Sequence, residues 1–278
     1  MRFEKWQALG NDYLIVERSR LPWDLTAERV RRLCHHNFGP GADGILLLDS
    51  AEGQSVASLR IFNPDGSEAA LSGNGAREAA MYLRQRGWTE ADTFSIETAA
   101  GTVVPTILDE RRCSMALGMA SVSSEDWPDG PADGIGSVSF GGAEHGFQFV
   151  NVGNPQLSIR IEDPGELEAL DLPGIGPSLE SDPRFPNRTN VSFWTGSGSS
   201  IRARIFERGV GETLSSGTGA SGAAVAAHLS GHPATLTVEL DGGELEVVIG
   251  PDLELVLTGW AVPVYSGEAS KQLMEELR

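Results

Sequence analysis

Apolar and polar residues alternate in short runs along most of the chain, and each such run reads as a strand with one buried face. Val56 to Phe62, Leu236 to Leu240, Leu245 to Val248 and Leu253 to Leu257 show this two-residue period, and Asp241-Gly242-Gly243 supplies a hairpin turn. The helical period is rarer. It predicts helices over Thr26 to His35, Ala76 to Arg86, Ala220 to Ser230, a short one near Gly165 to Leu170, and a tail from Glu268 to Leu277. With 34 glycines and 15 prolines for tight turns, the pattern predicts an α+β protein of small mixed sheets and few helices.

One pattern occurs twice. Ser72-Gly73-Asn74-Gly75-Ala76 and Ser216-Gly217-Thr218-Gly219-Ala220 lie 144 positions apart in a chain of 278. The same offset carries Glu68 onto Glu212, Ala79-Ala80 onto Ala223-Ala224, and Gly87 onto Gly231, so the chain reads as two related halves, each with one strand-turn-helix unit. A Ser-Gly-rich turn opening an Ala-rich helix puts free backbone N–H groups and the positive end of the helix dipole together, and the glycines admit a ligand close to the backbone. Such a turn suits a carboxylate or phosphate. Two of them facing across a pseudo-twofold axis would hold one small anion between two serines. Either copy alone reads more readily as a plain N-capped helix, and the matched pair is what points to a site.

Ser, Pro, Gly and Asp cluster between Ala120 and Gly136, where periodicity lapses. The expected domains are therefore 1–118, joined by a returning tail at 262–278, and 119–261. Gly196 to Ser200 reads as a loop.

Composition narrows the chemistry. A formal charge of −18 argues against nucleic acid or an anionic membrane as partner. No apolar run approaches membrane-spanning length and no secretory leader is evident, so the cytoplasm is the expected location. Two cysteines, Cys34 and Cys113, are too few for a disulfide framework or a thiolate zinc site. Lysine is confined to Lys5 and Lys271, which disfavours a pyridoxal phosphate Schiff base, and no dinucleotide, Walker or zinc-helix motif is present. No cofactor or metal is expected, so any reaction must run on side chains and backbone alone.

Polar clusters fall where loops belong: Gly10-Asn11-Asp12, Gly39 to Gly44, Asn63 to Glu68, Gly153-Asn154-Pro155-Gln156, Asn187 to Asn190 and Glu207-Arg208-Gly209. Singly, each is what a turn requires. Together they resemble the diaminopimelate epimerase family of cofactor-independent amino-acid racemases, nearly end to end. Phe-Asn-X-Asp-Gly-Ser-Glu followed by Gly-Asn-Gly-Ala-Arg, and Glu-Arg-Gly-Val-Gly-Glu-Thr-Leu followed by Gly-Thr-Gly-Ala, are its most specific segments. The resemblance implies two pseudo-symmetric α+β domains, each a mixed sheet around a central helix, with the active-site cleft between them. It implies an amino-acid epimerase acting on LL- and meso-diaminopimelate, a lysine and peptidoglycan precursor, with a small-molecule amino acid as partner and a homodimer as an open assembly.

In that family two cysteines transfer the α-proton, and the motifs put them at Ser72 and Ser216. A thiol ionises with a pKa of about 8.5, whereas an unassisted hydroxyl behaves more like water, at about 15.7. The gap of about 7 units is on the order of 10 kcal/mol, of which a helix N-terminus returns only about 0.3–2 kcal/mol. The serines need help. Glu207 matches a family acidic residue and is the best proton acceptor left, so the catalytic set is Ser72, Ser216 and Glu207. By resemblance Gly73, Asn74, Gly217 and Thr218 offer donors to the α-carboxylate, Asn11, Asn63, Asn190 and Arg208 grip the far end of the substrate, and Asn154 completes the binding set.

Gln156 stands where relatives usually have histidine, and Glu78 where many have cysteine. Gln156 and the extra serine Ser215 are departures that a deliberate removal of two thiols would not include, so the double serine reads as natural. The histidines at 35, 36, 145, 228 and 232 fall outside the motifs and read as structural. Two alternatives stay open: a same-fold isomerase or eliminase with Glu207 itself as base, and an inactive amino-acid-binding paralogue.

Overall fold

In the computed structural model, which describes residues 1–278, one order of strands is laid down twice. By its contacts the chain divides into unit 1, Met1–Met115 with Gly259–Arg278, and unit 2, Ala116–Thr258. In unit 1, β1 (Arg2–Ala8) runs antiparallel to β2 (Asn11–Glu17), β2 parallel to β3 (Ile45–Asp49), β3 antiparallel to β4 (Ala57–Phe62) and β4 parallel to β6 (Ile96–Thr98). The short β5 (Glu68–Ala69) folds back on β4, β7 (Gly101–Val103) on β6, and β8 (Pro105–Ile107) pairs with β9 (Arg112–Met119). Parallel neighbours need a crossover. Here α1 (Ala27–Cys34) joins β2 to β3, and α2 (Gly73–Gln85) joins β5 to β6.

Unit 2 repeats the sequence of pairings. From β10 (Ile135–Phe140), β11 (Ala143–Asn151) runs antiparallel to β12 (Pro155–Arg160), β12 parallel to β13 (Asn190–Ser197), β13 antiparallel to β14 (Ser200–Glu207) and β14 parallel to β16 (Thr235–Leu240). Again a short strand, β15 (Gly211–Thr213), folds back on β14; β17 (Gly243–Ile249) follows β16, and β18 (Glu254–Trp260) follows β17. The crossovers are α3 (Pro164–Ala169) with α4 (Leu172–Glu180), and α5 (Gly217–Leu229). The tail returns to unit 1, where β19 (Val262–Glu268) pairs with β1 and α6 (Lys271–Glu276) follows.

The alanines of α2 and α5 follow from their position. Residues Asn74 to Leu83 and Gly219 to Ala227 are buried without interruption. A helix enclosed on every side has no polar face to show water, and small side chains let the surrounding strands close in. A Cβ on Gly222 would lie 2.8 Å from Cβ of Gln156 on β12, and one on Gly219 2.8 Å from the Ile205 side chain on β14. Both helices begin three residues before the sequence pattern predicts, because the serine is the cap and its glycines form the first turn.

The repeated glutamates have a structural cause. Glu68 accepts both Nε (2.8 Å) and Nη2 (2.7 Å) of Arg60 across the β4–β5 hairpin. At the same offset, Arg204 Nε donates to Glu212 at 3.1 Å across β14–β15. Arg204 does more than Arg60: its Nη1 also donates to the carbonyls of Leu167, Glu168 and Leu170, at 2.9, 3.1 and 2.9 Å, tying down the end of α3. Its side chain is 12% exposed against 53% for Arg60. Arg204→Ala should cost about 1–3 kcal/mol, the range for leaving buried hydrogen-bonding groups unpaired, and Arg60→Ala less than about 1 kcal/mol. Urea midpoints of the two variants decide it, and equal losses would contradict the assignment.

Two stretches differ from expectation. α4 carries Pro173, Gly174, Gly176 and Pro177 and lacks a helical signature. It forms because Asp171 caps the Gly174 N–H at 3.2 Å, and because the Phe206 ring lies 2.4–2.7 Å from where a Cβ on Gly176 would sit, so packing favours a bare backbone there. The Ala120 to Gly136 run is pinned rather than free: Trp127 is buried, with ring centroids 5.1, 5.6 and 5.8 Å from Phe147, Phe149 and Phe185. By contacts the division falls within β9 and β18. No helix is long and apolar enough to cross a membrane.

Candidate active site

In unit 1, Ser72 is the N-cap of α2, in extended backbone (φ −133°, ψ 122°), and its Oγ accepts the Gly75 N–H at 3.1 Å. Glycine is needed there, since a Cβ on Gly75 would stand 3.0 Å from Leu46 Cδ2. From β2, Tyr13 Oη donates to the same Ser72 Oγ at 3.1 Å. A buried tyrosine needs a partner for its hydroxyl, and Tyr13, 6% exposed, finds it in this serine. Nearby, Asn74 donates to Asn11 Oδ1 at 3.3 Å and accepts from Arg77, and Asn11 donates to Asp43 at 3.0 Å. Two sequence motifs, Gly10-Asn11-Asp12 and the first serine turn, are thus tied together. Asn63 is not part of that network. It turns the chain, its amide donating to Ser67 Oγ at 3.0 Å.

In unit 2, Ser216 caps α5 in the same way (φ −143°, ψ 120°), with Oγ accepting the Gly219 N–H at 3.2 Å. Glu207, at the end of β14, accepts Thr213 Oγ1 at 3.1 Å and lies near the Ser216 turn. Desolvation pushes the Glu207 carboxyl above its usual pKa of 4.5, and the two hydroxyls, which favour the ionised form, offset only part of that. Asn154 donates to Thr218 Oγ1 at 3.3 Å and accepts from Gln156 at 2.6 Å. Asn190 Oδ1 receives the Arg208 N–H at 2.7 Å, while the Arg208 guanidinium donates to the Asn187 carbonyl at 2.8 Å and meets no carboxylate of its unit.

The frame repeats, but the partners of the two serines do not. At the offset of 144, Glu207 corresponds to Asn63, and Tyr13 corresponds to Leu157. Tyr13 and Thr213 are the site neighbours that sequence reasoning misses. Tyr13 directly follows the Gly10-Asn11-Asp12 cluster, and a tyrosine inside an otherwise apolar strand was the available signal.

Glu78 lies on the buried face of α2 with no side-chain partner for either carboxyl oxygen. Burial pushes its pKa well above 4.5, the adjacent Arg77 opposes this, and Asp12 and Asp43 add to it. Gly73 and Gly217 open the two helices, and a Cβ at Gly73 would meet nothing closer than Arg77 Nη1 at 4.0 Å. First-turn backbone, a hydroxyl and a hydroxyl-bound acid or phenol are the chemical equipment of each unit.

Comparison with known proteins shows the family. A model of the diaminopimelate epimerase family matches residues 3–123 and 148–269. A diaminopimelate epimerase from Synechococcus sp. (strain JA-3-3Ab) is 38% identical over 281 residues, covering 98% of this chain and 99% of that protein. Diaminopimelate epimerase 2 from Nostoc sp. (strain PCC 7120) is 39% identical over 279 residues, covering 98% and 97%. Among solved structures, a phenazine biosynthesis protein of the PhzF family from Bacillus anthracis superposes with a TM-score of 0.67 at 18% identity, covering 97% of this chain and 99% of that one, which shows a shared fold.

Proposed function

The chain belongs to the diaminopimelate epimerase family, a family of isomerases, and on that premise we propose that it inverts the α-carbon of diaminopimelate without a cofactor, with Ser72 and Ser216 as the hydroxyls that handle the α-proton. What supports this reading is the Glu207 carboxyl beside the Ser216 turn, held by the Thr213 hydroxyl at 3.1 Å and lifted above 4.5 by burial. A base works best when its pKa lies near the working pH, and Glu207 is shifted in that direction. As Ser216 Oγ takes the α-proton, its own proton passes to Glu207, so no free alkoxide has to form.

First-turn backbone at Gly73, Asn74, Gly217 and Thr218 would receive the α-carboxylate and the enolate-like charge that grows on it, with Asn154 ordering Thr218. Arg208, free of any carboxylate in its unit, would take the distal carboxylate as a two-toothed fork, supported by Asn190, with Asn11 and Asn63 completing the grip. A second reading, in which Glu207 itself removes the proton in a same-fold isomerase, draws on the same raised pKa.

The test is proton exchange in heavy water with LL- and meso-diaminopimelate, followed by NMR. We expect deuterium at the α-carbon, with the rate rising along an acidic limb whose midpoint lies above 4.5, since Glu207 must be ionised to act. Unexchanged α-hydrogens in both stereoisomers across the pH range would overturn the proposal.

A further inference from the structure

Helix α4 meets the end of β14 at two points that straddle Glu207 and Arg208. On one side the Phe206 ring lies 2.4–2.7 Å from where a Cβ on Gly176 would sit. On the other, Glu180, the last residue of the helix, accepts the Gly209 N–H at Oε1, 2.8 Å away. The same oxygen accepts Arg188 Nη1 at 2.8 Å, and the Glu180 carbonyl accepts the Thr189 N–H at 3.0 Å. Glu180 therefore joins two stretches of chain, the approach to β13 at 187–190 and the turn after β14 at 207–210. Arg208 closes the same junction, since its N–H goes to Asn190 Oδ1 at 2.7 Å and its guanidinium to the Asn187 carbonyl at 2.8 Å.

Such a junction is not what packing alone would produce. Glu180 is 8% exposed, and a carboxylate so far out of water is unfavourable unless it is paired. Arg188 has φ +58°, the left-handed backbone that a residue with a side chain rarely adopts. Gly209, at φ +76°, stands against it, for a Cβ there would lie 3.8 Å from Arg188 Nη2. An apolar residue at 180 would close the helix on its unit without a buried charge. The carboxylate is explained by what it holds.

We propose, resting on the epimerase reading, that Glu180 is a positioning residue for substrate binding: by holding Gly209 and Arg188 it fixes the turn after β14, and with it the Arg208 guanidinium that takes the distal carboxylate. A guanidinium meets a carboxylate through two parallel bonds only when the two planes are aligned. Backbone that is free to pivot would lose that alignment, and α4 restrains it on both sides, at Phe206 and at Gly209. The preference for a dicarboxylic amino acid is then set in part by a helix end that touches no substrate.

Glu180→Ala removes the acceptor and leaves Arg208 in place. A grip on the far end of the substrate is the same in ground and transition states, so weakening it raises KM and spares kcat. KM for LL- and meso-diaminopimelate should rise about tenfold or more, the scale of one charge-assisted hydrogen bond, while kcat stays within about threefold. Glu180→Gln still offers Gly209 an oxygen and should bring KM back to within about threefold of the wild type. In an Arg208→Ala background, Glu180→Ala should lower kcat/KM by less than about twofold further, because the group it positions is gone.

A merely structural role would lower kcat through loss of folded protein with KM unmoved, and its effect would multiply with that of Arg208→Ala; either result would overturn the proposal. Should Glu180→Ala not fold, Glu180→Met, unbranched and helix-favouring, carries the same expectations. An active wild type whose KM is unmoved by these substitutions overturns the role of Glu180 alone. A wild type that neither binds nor exchanges diaminopimelate overturns the epimerase reading and the role of Glu180 with it.

Discussion

Glu207→Gln should slow both exchange and inversion by about 10²–10⁴-fold, the contribution expected of a positioned general base. The amide keeps the shape of the carboxyl and can still accept from Thr213, so the hairpin between β14 and β15 should hold. In the proposed reaction it would be unable to take a proton. Stability should rise slightly at neutral pH, because burial holds the Glu207 pKa above its unfolded value and the ionised carboxyl is thus a cost to the fold. Rate and urea midpoint therefore move in opposite directions. If Glu207→Gln exchanged the α-proton at the wild-type rate, Glu207 would not be the base.

The second large effect concerns Glu78. Its carboxyl is wholly buried without a side-chain partner, and its folded pKa lies well above the unfolded value near 4.5. A group displaced in that direction contributes stability that is fully present below pH 4.5 and is lost as pH rises through the folded pKa, at about 1.4 kcal/mol for each pH unit that separates the folded from the unfolded value. Glu78→Gln does not ionise. It should match the wild type at pH 4, exceed it clearly at pH 8, and show a flatter dependence between, read from urea unfolding at each pH. Parallel curves for the two proteins would mean that Glu78 is stabilised as a carboxylate after all.

Much of this was legible in one dimension. The alternating runs Val56 to Phe62 and Leu236 to Leu240 became β4 and β16 because side chains on a strand point alternately to two faces, and along most of each strand one face is the more buried. The paired serine turns became paired helix caps because Ser, Gly and Ala have strong local preferences for those positions. α4 was hidden for the opposite reason: its prolines and glycines favour turns locally, and only Phe206, brought in from β14, makes the bare helical backbone the better packing.

The candidate site divides the same way. Motif residues adjacent in sequence, such as Ser216 with Gly219 or Asn154 with Gln156, interact over a few residues and could be read directly. Tyr13 and Ser72 are 59 residues apart and meet only because β2 lies alongside α2.

By itself the sequence determined that this chain is two copies of one α+β unit of the diaminopimelate epimerase family, with a serine opening each repeated turn, since repeats, caps and residue types are local properties. Tertiary structure alone decided what surrounds the two turns, a phenol that donates to Ser72 in one unit and a desolvated carboxyl held by Thr213 in the other. Hydrogen-bond partners and burial depend on neighbours that chain order does not specify.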